Sequence, residues 1–141
     1  MKPEEFGITK YKFNNDGTLD VFENVDLSYK NLTELPFNFK IIDGYFNCRN
    51  NNLTSLKNSP KIVNGYFHCS NNNLIILKGA PEIVNGDFIC SWNNLKSLNG
   101  LNLDNISGDI ILIMGNRKSE IKLTEKEKLW MTLNPEKLVI K

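Results

Sequence analysis

The sequence predicts a solenoid that is mainly β, and two observations carry that expectation. Gly44-Tyr45-Phe46-Asn47-Cys48, Gly65-Tyr66-Phe67-His68-Cys69 and Gly86-Asp87-Phe88-Ile89-Cys90 are three copies of one pentapeptide at a 21-residue period. Each is followed by an Asn-rich bend and a Leu-x-x-Leu pair: Leu53/Leu56, Leu74/Leu77 and Leu95/Leu98. Fixed self-similarity of this length marks a stack of small units, each burying its apolar face against the next.

The period runs beyond the three copies. Counting back, Leu27 takes the place of Cys48, Leu32 and Leu35 those of Leu53 and Leu56, and Ile41-Ile42 those of Ile62-Val63. Counting forward, Gly108-Asp109-Ile110-Ile111-Leu112 fits after a one-residue insertion. This gives four full turns and a fifth that is only a strand. The expected organisation is an N-terminal cap over 1–22, the solenoid over 23–115 and a C-terminal cap over 116–141.

Within a turn, alternation sends Phe67 and Cys69 to one side and Tyr66, His68 and Ser70 to the other, the pattern of a short strand buried on one face. Stacked copies make a parallel sheet on one face of the solenoid, with inner columns Val25, Phe46, Phe67, Phe88, Ile110 and Leu27, Cys48, Cys69, Cys90, Leu112. Pro60 and Pro81 point to an extended or polyproline-like return path. Asn51, Asn72 and Asn93 hold the position where a buried amide bonds neighbouring backbone and forms a ladder; Lys30 breaks that ladder in the first turn.

The ends carry their own signals. Tyr11-Lys12-Phe13 and Thr18-Leu19-Asp20-Val21 flank an Asn/Asp-Gly turn and read as a β-hairpin. Thr124-Glu125-Lys126-Glu127 is a capping-box start for a helix over about 125–134 that Asn134-Pro135 ends. Leu129, Trp130 and Leu133 give that helix an apolar face, read as a lid on the last turn, with an amphipathic partner-binding helix as the alternative.

Val63-x-x-x-Phe67-x-Cys69-x-x-Asn72-x-Leu74-x-x-Leu77 resembles the consensus of leucine-rich repeats, with Phe and Cys replacing two leucines. The short repeat with its Leu-x-x-x-Pro-x-x-Val ending looks like the bacterial-type class. Asp16-Gly17-Thr18-Leu19-Asp20-Val21 running into Val25-Asp26-Leu27-Ser28, and Gly-x-Phe-x-Cys-Ser-x-Asn-x-Leu-x-x-Leu-x-Gly-Ala-Pro, are similar to small leucine-rich-repeat proteins of bacteriophages. The resemblance covers residues 10–112 and implies an α/β-type, right-handed leucine-rich-repeat stack that binds proteins.

Composition agrees with one small domain. The chain has 141 residues, 40% of them hydrophobic, and a net charge of +1 with scattered basic residues, so no nucleic-acid partner is implied. No apolar run reaches membrane-spanning length and Met1-Lys2-Pro3-Glu4-Glu5 starts no secretory signal, so the expected compartment is a cytoplasm, that of the host if the phage resemblance holds. Cys48, Cys69 and Cys90 recur one per turn, unlike close-spaced metal pairs, and read as free core thiols. Asn31-Leu32-Thr33, Asn52-Leu53-Thr54 and Asn105-Ile106-Ser107 match the glycosylation sequon as chance products of an Asn-rich repeat. His68 is the single histidine, with no nucleophile-base set or phosphate loop beside it, so neither enzyme activity, nor cofactor, nor metal is expected.

The outward face of the sheet is where packing leaves residue type open. Its columns are Asn24, Tyr45, Tyr66, Asp87, Asp109; then Asp26, Asn47, His68, Ile89, Ile111; then Ser28, Arg49, Ser70, Ser91, Ile113, with Tyr29, Asn50, Asn71 and Trp92 at the bend. Aromatic and Arg side chains dominate interface energetics, so Tyr45, Tyr66, Arg49 and Trp92 lead the candidate contacts, with His68 and Asp87 on the same face. Alternatively, the tyrosines shield neighbouring strands. Ile89, Ile111 and Ile113 predict an apolar patch, and Ile75-Ile76 a second one, unless Leu138-Val139-Ile140 folds back over one of them. The expected function is a non-enzymatic module that binds and blocks or sequesters a host protein, as a monomer or weak homo-oligomer. The alternatives are a self-assembling or virion-associated structural protein and, more remotely, a small-ligand binder.

Overall fold

The computed structural model describes residues 1–113 and 121–140. A short 3-10 turn, Pro3–Phe6, leads into the antiparallel hairpin β1 (Tyr11–Phe13) and β2 (Leu19–Val21). Each turn then supplies a strand of the repeat motif: β3 (Val25–Asp26), β5 (Phe46–Asn47), β7 (Phe67–His68), β9 (Phe88–Ile89) and β10 (Ile110–Leu112), all in parallel register. The registers pair Val25 with Phe46, Phe46 with Phe67, Phe67 with Phe88 and Phe88 with Ile110, the inner column expected from the period.

The return path is extended, as expected, but it is also paired. It carries strands of its own, β4 (Phe39–Ile42), β6 (Ile62–Val63) and β8 (Ile83–Val84), so the solenoid has two sheets instead of one. Among the described residues the second sheet runs β1-β2-β4-β6-β8, and the hairpin is built into it through parallel pairing of β2 with β4. Pro60 and Pro81 stand two residues before β6 and β8, where their missing N–H interrupts no ladder bond. Two-residue strands are too short to leave a periodicity, but Phe39, Ile42, Val63 and Val84 are fully buried.

The core lies between the sheets. Phe46, Phe67 and Phe88 stack with near-parallel rings, 5.6 and 5.4 Å between centroids, because parallel strands in register repeat every ~4.8 Å and carry identical side chains along. Cys48, Cys69 and Cys90 are buried and free, as read from their spacing. Burial pushes the Cys48 and Cys69 thiols well above their ordinary pKa, which keeps them protonated and unreactive.

Two devices hold successive turns together. Asn72 Oδ1 accepts from Leu53 N at 3.0 Å while its amide donates to Cys48 O at 3.1 Å; Asn93 repeats this with Leu74 N at 3.0 Å and Cys69 O at 3.1 Å. Asn51 does the same for the turn below, taking Lys30 N and Leu32 N, so the first turn receives the ladder's bonds without an Asn of its own. At the opposite corner a Cβ on Gly65 or Gly86 would lie 2.8 Å from backbone of the preceding turn, and only glycine lets the turns approach this closely.

The C-terminal part begins, among the described residues, at Ile121; the boundary expected at 115/116 lies outside them. Helix α1 (Glu125–Leu133) starts at Thr124, which accepts from Glu127 N while Glu127 reaches back to Thr124 N. Its expected apolar face is only partly used. Trp130 packs against the core and donates Nε1 to Asp104 Oδ1 at 3.0 Å, but Leu129 and Leu133 are exposed. The chain ends in β11 (Leu138–Ile140), parallel to β10, so the larger sheet runs β11-β10-β9-β7-β5-β3. No described helix is long and apolar enough to cross a membrane.

Candidate functional site

Alternation in β5, β7, β9 and β10 turns one residue in two away from the core, and stacking lines these residues up across the larger sheet. Tyr45 and Tyr66 lie ring on ring, 4.7 Å apart at 6°, and Tyr66 meets His68 edge to face at 6.3 Å. His68 is next to Ile89 in register, Ile89 to Ile111, and Ile111 to Val139. The face therefore passes from an aromatic, polar half to an apolar half.

A concavity of about 290 Å³ lies on this face. It brings together Arg49, His68, Ile89, Trp92, Ile111 and Ile113 of the residues singled out from the sequence; Tyr45, Tyr66 and Asp87 lie on the same face outside it. Asp87 turns its carboxylate to the next strand and accepts Asp109 N at 2.8 Å. Arg49 sits over the Tyr29 ring, 5.7 Å from its centroid, a cation–π contact that fixes the guanidinium. Ser70 and Ser91 belong to the same wall but are buried and structural: their hydroxyls accept Ser91 N and Ile113 N, each at 3.0 Å.

The electrostatics follow from partial burial. His68 is held below its ordinary pKa, first by desolvation and then by the Arg49 guanidinium, so it is neutral at pH 7. Tyr66 is raised by burial and by Tyr45 beside it, which keeps its hydroxyl a donor. Asp26, at the polar end, is lowered chiefly by the hydroxyl of Ser28, which donates to it at 2.6 Å.

The bend beside the concavity has a backbone demand that the sequence did not reveal. Tyr29, Asn50, Asn71 and Trp92 all adopt left-handed φ, from 56° to 57°. Asn tolerates this region, whereas other L-residues lose about 1–2 kcal/mol there. Trp92 nevertheless takes the position while 41% exposed, so at this place the fold is given a side chain that its backbone does not favour.

Leu138-Val139-Ile140 covers the sheet's edge, not its face. Val139 extends the Ile89–Ile111 column, a contribution invisible in the repeat because the tail lies outside the 21-residue frame. Ile75 and Ile76 are exposed, at 50% and 38%, on a different part of the surface. Compared with known proteins, the chain matches no family model, no curated protein and no solved structure.

Proposed function

We propose that this chain is a non-enzymatic protein-binding module of leucine-rich-repeat type, phage-encoded and acting in the host cytoplasm, that blocks or sequesters a host protein through the outward face of its larger sheet. The observation that supports this reading is the continuity of that face: stacked Tyr45 and Tyr66 lead through His68 to Ile89, Ile111 and Val139, with Trp92 at the rim. Partly exposed apolar side chains in one contiguous patch are a mark of an interface, and Tyr, Trp and Arg are its usual anchors.

A second reading, self-assembly as a structural protein, is favoured by the ends of the same sheet, where β3 and β11 are, among the described residues, edge strands that offer backbone groups for strand addition. The experiment is affinity capture from host extract with identification of the captured protein, beside light scattering of the isolated chain. Ile111→Asp places an unpaired charge in the apolar half. Loss of a single host partner from a folded monomer supports the binding module, loss of a defined oligomer supports self-assembly, and unimpaired capture by Ile111→Asp sinks the assignment to this face.

A further inference from the structure

Three lysines from two consecutive turns line a groove that shares no lining residue with the concavity of the outward face. Lys57 and Lys78 hold one repeat position on consecutive turns, just after Leu56 and Leu77. Lys40 and Lys61 are neighbours on the second sheet, where Lys61 N donates to Lys40 O at 2.8 Å. Lys57, Lys61 and Lys78 line the groove, of about 670 Å³, with Thr54, Ser55 and Asn58 among the other donors.

Like charges brought to matching positions of neighbouring turns repel one another. The chain as a whole balances 17 basic against 16 acidic residues, so composition does not force this clustering. Among the described residues no carboxylate lines the groove and none of the three lysines is ion-paired. Its floor is fixed. Gly79 has φ +93°, a Cβ there would lie 2.7 Å from Leu56 O, and Ser59 donates its hydroxyl to the Gly79 carbonyl, locking the two turns together. Such rule-breaking by charge on a rigid frame is what a ligand site does to a fold.

We propose that this groove binds a small ligand carrying two or more anionic oxygen groups, phosphate or carboxylate, with Lys57, Lys61 and Lys78 as counter-charges and Thr54, Ser55 and Asn58 as neutral donors. Ammonium groups on flexible stems suit phosphate or carboxylate oxygens as point charges. The ligand is small because the positive field is local. Glu82 follows Lys61 on the second sheet, its N–H bonded to Lys61 O at 2.9 Å, and Glu34 precedes Ser55 in the repeat frame, so a long polyanion would run into carboxylates.

The test is titration of the full chain with inorganic pyrophosphate and, separately, with citrate, followed by amide NMR shifts and calorimetry. Saturable shifts at Asn58, Lys61 and Gly79, an affinity that falls with added salt, and a loss of roughly tenfold or more in Lys57→Gln/Lys78→Gln support the site. Tighter pyrophosphate identifies a phosphorylated ligand and tighter citrate a polycarboxylate. Lys61→Gln is the second variant should the double one fail to fold. No saturable shift at millimolar probe, equal affinity in the folded variants, or tighter binding of a single-stranded oligonucleotide than of either probe would overturn the proposal.

Discussion

Tyr45 and Tyr66 occupy one repeat position on consecutive turns and stack 4.7 Å apart with their planes 6° from parallel. That spacing is the strand spacing itself, so the backbone sets the stack and each ring covers one face of the other. The pair therefore shields the strands, one of the two roles that the sequence offered as alternatives, and leaves phenol edges for the contact proposed above.

Tyr66→Ala removes the stack as well as a proposed contact. The expected outcome is a loss of stability of about 0.5–1.5 kcal/mol, read from urea unfolding, together with at least a roughly tenfold fall in partner affinity. A stability loss with unchanged affinity would assign Tyr66 to the fold alone.

Asn93→Ala strips the ladder at a site with no solvent access. Leu74 N loses its partner in the core, while Cys69 O keeps the Asn72 amide at 3.1 Å, and an unsatisfied buried group costs about 1–3 kcal/mol. Chemical denaturation should show this loss, and hydrogen exchange should show it concentrated between the two turns that Asn93 bridges.

Trp92 separates backbone from side chain. Asn suits φ 56°, as Asn50 and Asn71 show in the same frame, whereas a β-branched residue there loses about 1–2 kcal/mol. Trp92→Asn is thus expected to be about 1 kcal/mol more stable than Trp92→Val, while both bind the partner more weakly than the parent. Equal stability of the two variants in thermal unfolding would contradict the left-handed bend.

The depressed pKa of His68 has a sign that can be checked. The unfolded chain takes up the proton near 6.5 while the folded chain resists it, so this contribution to stability is complete above pH 6.5 and is lost as pH falls from there through the lower folded value. His68→Gln should flatten the urea midpoint between pH 7.5 and pH 5.5 relative to the parent. The lowered carboxylates, Glu4, Asp16, Glu23 and Asp26, act in the same direction but at lower pH.

The period, the inner Phe and Cys columns, the Leu pairs, the Asn ladder, the hairpin and the start of α1 were legible in the sequence because each is a local pattern or a repeat of one. A residue that recurs every 21 positions in a parallel stack must meet its own copies, so columns follow from counting. Most of the outward contacts follow by the same counting, including the meeting of His68, Ile89 and Ile111.

Tertiary structure alone decided the rest. Whether β6 and β8 are strands depends on backbone partners a full turn away, since Ile62-Val63 and Ile83-Val84 carry too few residues for any pattern. The pairing of β11 with β10 joins segments outside the repeat frame, and the partial docking of α1 depends on where the end of the stack leaves room for Trp130. The left-handed bend at Trp92 and the meeting of Lys57, Lys61 and Lys78 in one groove likewise arise from the path of the chain through space, because a one-dimensional period fixes which residues are neighbours along the stack but not how the corners between strands turn.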